Sequence, residues 1–344
     1  MKNILVTGGA GFIGSNLIPY WLQQYANYQL INLDKLTYAG SLDNLAAIST
    51  HPHYQFVQGD VIDQALVNHL FQKYDFQGVI HLAAESHVDK SIQNPEDFVK
   101  TNLQGTFVVL EAARSHWLTG PGMPKQEHQQ HRFLHVSTDE VYGSLGDTGL
   151  FTEKSNYAPN NPYSATKAGS DLLVRSYVQT YGLNALTTHC SNNYGPKQYQ
   201  EKLIPIIIGH ALAGKPIPIH GQGKAIRDWL YVLDHCKGID KAFHQGKQGE
   251  HYNLGGNNEQ TNLAIAQHIC HWLDLLKPLD NGSSYQSLIS FVADRPGNDQ
   301  RYALDTSKAA TALGWQPEEP FATGLQKTIQ WYMQQYSPPT HTSS

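Results

Sequence analysis

The chain has 344 residues and a formal net charge of −5, with 40% hydrophobic and 15% charged residues. That balance supplies a sizeable core and excludes a disordered chain. It offers no overall basic surface for nucleic acid or a membrane, so an anionic ligand has to be held by local Arg and Lys.

The opening MKNILVTGG enters a strand at residues 4–7. Further β-rich runs at 30–33, 54–58, 79–82, 133–137 and 185–189 alternate with helical patterns, the clearest at 12–25 and 163–181. Asn161-Pro162 ahead of the second is a helix-entry signal. Strand–helix alternation predicts a parallel sheet covered on both faces and joined by right-handed crossovers, a Rossmann-type doubly wound α/β fold. After Pro196 the alternation weakens. Helical patterns at 203–213 and 263–276, short strands at 229–232 and 291–292, and a Gly- and Pro-rich stretch at 214–223 predict a smaller C-terminal substrate lobe. The expected division is a dinucleotide-binding domain over 1–190, rejoined by part of 225–255, a substrate lobe over 191–336, and a frayed tail at 337–344. Residues 120–131 read as a polar loop.

Cys190, Cys236 and Cys270 lack CxxC spacing and read as reduced, buried thiols. With no signal peptide and no apolar run long enough for a bilayer, a cytoplasmic protein is expected. There are 18 histidines. The pairs His51/His53 and His128/His131 fall in polar, turn-like stretches without an HExxH helix, so solvated histidines and no metal site are expected.

Gly8-Gly9-Ala10-Gly11-Phe12-Ile13-Gly14 leaves the first strand and opens a helix. Gly8 and Gly9 suit a tight turn, Gly11 close approach of a pyrophosphate, and Gly14 close helix packing, with the helix N-terminus offering N–H groups to phosphate. Asp34 follows Gly14 by 20 residues at a strand end. A carboxylate there accepts the adenosine ribose hydroxyls and repels a 2′-phosphate, which favours NAD over NADP. Asp60, ending the next strand, is expected near the adenine edge.

Tyr163 and Lys167 are spaced to share a helical face. A free Tyr titrates near ~10, and a neighbouring ammonium is expected to lower that value and make the phenol a usable base. Lys167 can also hold the nicotinamide ribose. Upstream, a strand ends at Ser137-Thr138 and runs into Asp139-Glu140. By itself an adjacent acidic pair is often only a surface turn.

Across nearly its whole length the chain resembles the extended short-chain dehydrogenase/reductase family, and within it most closely the dTDP-glucose 4,6-dehydratases. The resemblance rests on VTGGAGFIGS at 6–15, LDKLTYAGSL at 33–42, HLAAESHVDKSI at 81–92, VSTDEVYG at 136–143, PYSATKAGSD at 162–171, CSNNYGP at 190–196, EKLIP at 201–205, IRDWLYV at 226–232, YNLGG at 252–256 and ADRPGND at 293–299. It implies that Tyr163, with Thr138 beside it, deprotonates the 4-hydroxyl of the sugar. It also implies that Glu140 removes the proton at carbon 5 and Asp139 protonates the departing 6-hydroxyl. That scheme needs Asp139 protonated, Glu140 ionised, and a turn just after Thr138 so that both carboxyls reach one ligand. Positions matching NAD contacts in the family are Gly8, Gly11, Phe12, Ile13, Gly14, Asp34, Lys35, Leu36, Thr37, Asp60, Val61, Leu82, Ala83, Ala84, Thr101, Tyr163, Lys167 and Asn193. Those matching nucleotide-sugar contacts are Ser86, Thr138, Asn192, Lys202, Leu203, Pro218, His220, Arg227, Asn262, Arg295 and Asn298. Lys202, Arg227 and Arg295 suit a pyrophosphate, although each taken singly could be a surface ion pair.

Four features depart from the family pattern: His220 replaces a Tyr, Asn298 a His, Lys90 an Arg, and residues 197–200 an aromatic, proline-containing stretch. All bear on the nucleotide end, so the base (dTDP, UDP or another) stays open. A 4-epimerase or decarboxylase on the same fold and a non-catalytic NAD-binding regulator are the rival readings, and Asp139 with Glu140 argues against the epimerase. Family members commonly dimerise through two helices per subunit, for which 99–115 and 163–181 are the candidates.

Overall fold

The computed structural model describes residues 1–294 and 299–336. The first half alternates β1 (Lys2–Thr7), α1 (Phe12–Gln24), β2 (Tyr28–Asp34), β3 (Tyr54–Gln58), α2 (Gln64–Tyr74) and β4 (Gly78–His81). Two short helices, α3 (Val88–Gln93) and α4 (Pro95–Phe98), lead through a π-helical turn, Val99–Gln104, into α5 (Gly105–Trp117). A small antiparallel hairpin of β5 (Leu118–Gly120) and β6 (Met123–Pro124) precedes β7 (Arg132–Thr138), α6 (Pro162–Tyr181) and β8 (Ala185–Cys190).

The remaining elements are β9 (Asn192–Tyr194), α7 (Leu203–Leu212), β10 (Ile217–His220), β11 (Ile226–Tyr231), α8 (Val232–Gln245), β12 (His251–Leu254), β13 (Glu259–Thr261), α9 (Asn262–Leu276), β14 (Ile289–Val292), α10 (Ser307–Leu313) and α11 (Phe321–Tyr336).

Seven strands form one parallel sheet in the order β12-β8-β7-β4-β1-β2-β3. Their inner members are buried at nearly every position because both faces are covered. Period-two alternation sorts the side chains: Ile4 and Val6 of β1 join a core under α1 and α8 with Trp21 and Phe243, while Leu5 joins the opposite core under α2, α5 and α6 with Phe71 and Trp117. A third core packs α7, α9 and α11 against β10 and β11. The strand order reverses between β1 and β4, and ligand crevices of such sheets open beyond the strand ends at that switch point. Among the described residues no helix is long and apolar enough to cross a membrane.

Several expectations need correction. The stretch expected as a helix over 99–115 opens as a π-helical turn and becomes α-helical only from Gly105. The strand expected at 229–232 begins at Ile226, and Val232 already opens α8. The Gly- and Pro-rich stretch at 214–223 contains β10, whose residues Ile217 and Ile219 are buried by the third core. His128 and His131 are not solvated; both are buried, because the loop before β7 folds back on α5 and Trp117. His51 and His53 are half-buried. The tail at 337–344 lies outside the described residues.

Candidate functional site

The main cleft opens at the switch point and is lined by the C-terminal ends of β1, β2, β4 and β7. Gly8 turns the chain out of β1 at φ +71°, and a Cβ there would stand 2.7 Å from the Ala83 backbone, so only glycine serves. Gly11 caps α1 without any side-chain hydrogen bond. A Cβ on Gly11 would meet only the Gly8 carbonyl, at 3.3 Å. The first turn of α1 carries no acidic residue, leaving the N–H groups of Phe12 and Ile13 as an anion site on the cleft wall.

Asp34 closes the far rim. Its oxygens accept the Ala10 N–H at 2.9 Å and the Leu36 N–H at 2.8 Å, which fixes the carboxylate, while burial pushes its pKa up. Lys35, Thr37, Asp60, Val61, Leu82, Ala83, Ala84, Thr101 and Asn193 line the same cleft, as do Gly8, Gly14, Tyr163 and Lys167. Leu36 does not: it holds φ 58° and its side chain turns into the core under α1. Asp60, expected at an adenine edge, is paired with Lys35 Nζ at 2.6 Å. A glycine turn with room over Gly11, a free helix N-terminus and a fixed carboxylate together fit a dinucleotide.

The catalytic candidates converge on the inner end of this cleft. β7 stops at Thr138, and the chain turns at once into a 3₁₀ turn, Asp139–Tyr142. This is the turn that two successive carboxyls need. Thr138 Oγ1 accepts the Glu140 N–H at 3.3 Å and donates to Asp139 Oδ1 at 3.2 Å. Asp139 is 2% exposed, and its Oδ2 has no hydrogen-bond partner. Burial, then Glu140 and Asp228, raise its pKa well above the usual carboxylate range. Burial raises Glu140 as well, and Lys202 and Arg227 offset only part of that rise. The pair is therefore split, with Asp139 the one held protonated.

Tyr163 and Lys167 sit one turn apart on α6, whose start is set by a capping box between Asn161 and Ser164 with Pro162 in the first turn. Burial and Glu140 push the Tyr163 phenol well up, opposed by a hydrogen bond from Thr138. The lowering expected from Lys167 does not outweigh these, and its ammonium is engaged elsewhere. Its Nζ donates to the Val136 carbonyl at 2.8 Å and approaches His135 Nε2 at 3.4 Å. A buried ammonium takes the nearest strong acceptors, and here these belong to β7. Burial brings the Lys167 pKa down to about 8.

A second cleft runs on from the first, sharing Ser86, Glu140, Asn192 and Lys202 with it, and is walled by Leu203, Pro218, His220, Arg227 and Asn262. Thr138 lines only the first cleft. Arg295 and Asn298 lie outside the described residues. Lys202 Nζ donates to the Ser86 carbonyl at 2.8 Å. Arg227 donates to the carbonyls of Ile226 and Asp299 and lies 4.5 Å over the Tyr302 ring, so it reaches the cleft already braced. His220 Nδ1 stands 3.1 Å from the Ala293 carbonyl.

Sequence reasoning missed Asp228, Tyr302, Asp299, Glu201 and His87. Asp228 is buried and accepts the Gly256 and Asn258 N–H groups at 2.9 and 2.7 Å, and its position beside Arg227 was the available signal. Glu201 binds Lys90 Nζ at 3.0 Å and lies 3.8 Å from His87 Nε2. The Asp299 and Tyr302 contacts join segments more than 70 residues from Arg227, and no local pattern reports them.

A family model described as GDP-mannose 4,6 dehydratase matches residues 5–328. The curated dTDP-glucose 4,6-dehydratase of Xanthomonas campestris pv. campestris is 50% identical over 333 residues, covering 97% of this chain and 93% of the relative. The crystal structure of dTDP-glucose 4,6-dehydratase from Bacillus anthracis in complex with NAD has a TM-score of 0.84 and 44% identity, over 97% of both chains. That of the Streptomyces venezuelae dTDP-glucose 4,6-dehydratase with NAD and TYD bound has a TM-score of 0.86 and 42% identity, again over 97% of both. The family match over most of the chain and 50% identity across 97% of it carry the same conclusion as the acidic pair beside Tyr163: this chain belongs to the nucleotide-sugar 4,6-dehydratase family.

Proposed function

We propose that this protein converts dTDP-glucose to dTDP-4-keto-6-deoxyglucose and water with NAD held in the main cleft, as a step of deoxysugar synthesis such as that of dTDP-rhamnose. The observation that carries the reading is the buried acidic pair in one turn beside Tyr163, with Asp139 raised the further of the two and Glu140's rise partly offset by Lys202 and Arg227. Simple oxidation or epimerisation at carbon 4 has no use for it. NAD, when bound, supplies a hydride acceptor that makes carbon 4 a ketone and a donor that reduces carbon 6.

The chain's own residues manage the protons. Tyr163 takes the 4-hydroxyl proton while Thr138 hydrogen-bonds that oxygen. The phenol needs positive charge close by to act near neutral pH. Lys167, one turn along the same helix, is the cation that the chain itself offers. The ketone acidifies carbon 5, Glu140 removes that proton, and Asp139 gives its own to the leaving 6-hydroxyl. Glu140 then returns a proton to carbon 5. Residues 1–190 with α8 and β12 would hold the dinucleotide, and the rest of the chain the nucleotide sugar, Lys202 and Arg227 taking the pyrophosphate.

Val99, Phe107 and Leu172 are apolar yet 48%, 42% and 57% exposed, on the π-helical turn, α5 and α6. That patch supports a homodimer through these helices, which sedimentation of wild type against Leu172→Glu tests. Three free, buried cysteines agree with the reducing cytoplasm. The deciding experiment is mass spectrometry of products formed with NAD from dTDP-, UDP-, CDP- and GDP-hexoses. Loss of one water from dTDP-glucose supports the proposal. Isomerisation without mass change, or no turnover despite tight NAD binding, overturns it.

A further inference from the structure

We propose that Asp75, His116 and His128 form a binding site for a divalent transition-metal ion of the zinc class, at the end of the sheet opposite the catalytic cleft. Three separate segments bring them together. Asp75 caps the C-terminus of α2, His116 lies in the last turn of α5, and His128 ends the 3₁₀ turn Gln126–His128 that leads to β7. Asp75 Oδ1 stands 2.9 Å from His116 Nε2 and 3.3 Å from His128 Nε2, and the three atoms all lie within 4.8 Å of one another. A tetrahedral ion with bonds of about 2.0–2.1 Å sets its ligand atoms roughly 3.3 Å apart. Two edges of the tetrahedron are therefore close to size.

The two imidazole rings lie nearly parallel, 5.3 Å apart at 22°, and the His128 side chain is 6% exposed, so its direction is fixed by packing against His131. Two imidazole nitrogens and one carboxylate suit zinc and its neighbours and do not suit calcium or magnesium, which want oxygen cages. Asp75 is 58% exposed and leaves one side open for water as a fourth ligand. His128 Nδ1 has no hydrogen-bond partner, so the outer acceptor that orients most zinc histidines is lacking there. Loss of such a partner typically weakens binding by about 10–100-fold, which places this site well below a structural zinc finger in affinity. The ion would tie α2, α5 and the approach to β7 together and stabilise the folded chain by mass action. Tyr163, Asp139 and Glu140 stand at the other ends of the strands, so turnover is expected to be indifferent to it.

The plain alternative is a carboxylate bonded to two histidines, which predicts no metal binding. The test uses the full chain, Zn²⁺ in calorimetry and thermal unfolding, and Co²⁺ as a visible-absorption probe. One ion per chain, a raised melting temperature and Co²⁺ d–d bands are expected. Asp75→Asn and His116→Gln should each weaken binding by roughly tenfold or more. Asn tolerates the positive φ of 46° that Asp75 holds, so that variant keeps its helix cap. His51→Gln should change nothing. Binding that survives both Asp75→Asn and His116→Gln overturns the proposal, as does the absence of heat and of d–d bands up to about 1 mM metal, a very weak limit.

Discussion

Asp171 Oδ2 lies 2.9 Å from His189 Nε2, both side chains sealed beneath the catalytic cleft. The same carboxylate accepts the Ser137 hydroxyl at 2.9 Å and faces His135 Nε2 at 3.3 Å. Burial alone would raise Asp171, yet His189 and His135 hold it well below the ordinary carboxylate range. This fixed anion sits one helical turn beyond Lys167 and opposes the burial that depresses the ammonium. Asp171→Asn should therefore drop Lys167 further below about 8. The alkaline limb of the kcat profile should move to lower pH, with KM nearly unchanged. A uniform loss of kcat at every pH would mean that Asp171 only supports the fold.

Acid should unfold this protein early. Burial holds His135 down to about 4 and His235 to about 3, and holds His81 well below its ordinary value. All three are shielded from solvent. The unfolded chain takes up their protons near pH ~6.5, whereas the folded chain refuses them until lower pH. The folded state is thus favoured above that range and loses about 1.4 kcal/mol per pH unit for each group as pH falls below it. Asp139 and Glu140, raised in the fold, offset part of this loss, so urea midpoints should decline, though less than the three histidines alone would give, from pH ~6.5 toward ~4. A flat profile across that window would show that these histidines are charged in the fold.

The acidic pair predicts two distinct lesions. Glu140→Gln should still reduce bound NAD when nucleotide sugar is added, because Tyr163 and Thr138 remain, but should lose elimination by about 10²–10⁴-fold. Asp139→Asn should lose elimination on a similar scale, because an amide cannot protonate the leaving hydroxyl, and should leave the melting temperature near wild type, since one neutral buried group of the same shape replaces another. Stopped-flow absorbance of NADH, product mass and melting temperature separate these outcomes. A Glu140→Gln enzyme making 4-keto-6-deoxy product at the wild-type rate would falsify the role given to Glu140.

The sheet was legible because its strands are buried on both faces, so 4–7 and 79–82 stand out as largely apolar runs, and 185–189 as a short β-rich one. The glycine turn, Asp34 and the Tyr163–Lys167 pair were legible because their spacing is set by local geometry. What escaped depends on distant chain. β10 hides in a Gly- and Pro-rich stretch and exists because β14 pairs with it. Lys167 chooses the Val136 carbonyl over the phenol because β7 lies under α6. His128 and His131 looked like solvated loop residues, and only the folding of that loop onto Trp117 buries them.

Gly11 and Gly14 carry the same amino acid for different reasons, and substitution should separate them. A Cβ at Gly14 would lie 2.5 Å from Gly9 Cα and 2.6 Å from the Gly8 carbonyl. Both obstacles are backbone and cannot step aside, so Gly14→Ala must push α1 away from the turn and lose stability. A Cβ at Gly11 meets a single atom at 3.3 Å, and its φ of −76° suits any residue. Gly11→Ala should fold with a melting temperature close to wild type. Its methyl would stand where phosphate oxygens approach the N-terminus of α1, so NAD should be retained at least about tenfold less tightly, a cost of ~1.4 kcal/mol. Calorimetric titration with NAD, set beside thermal unfolding of both variants, checks the contrast. If Gly11→Ala binds NAD as tightly as wild type, the pyrophosphate does not lie on this turn.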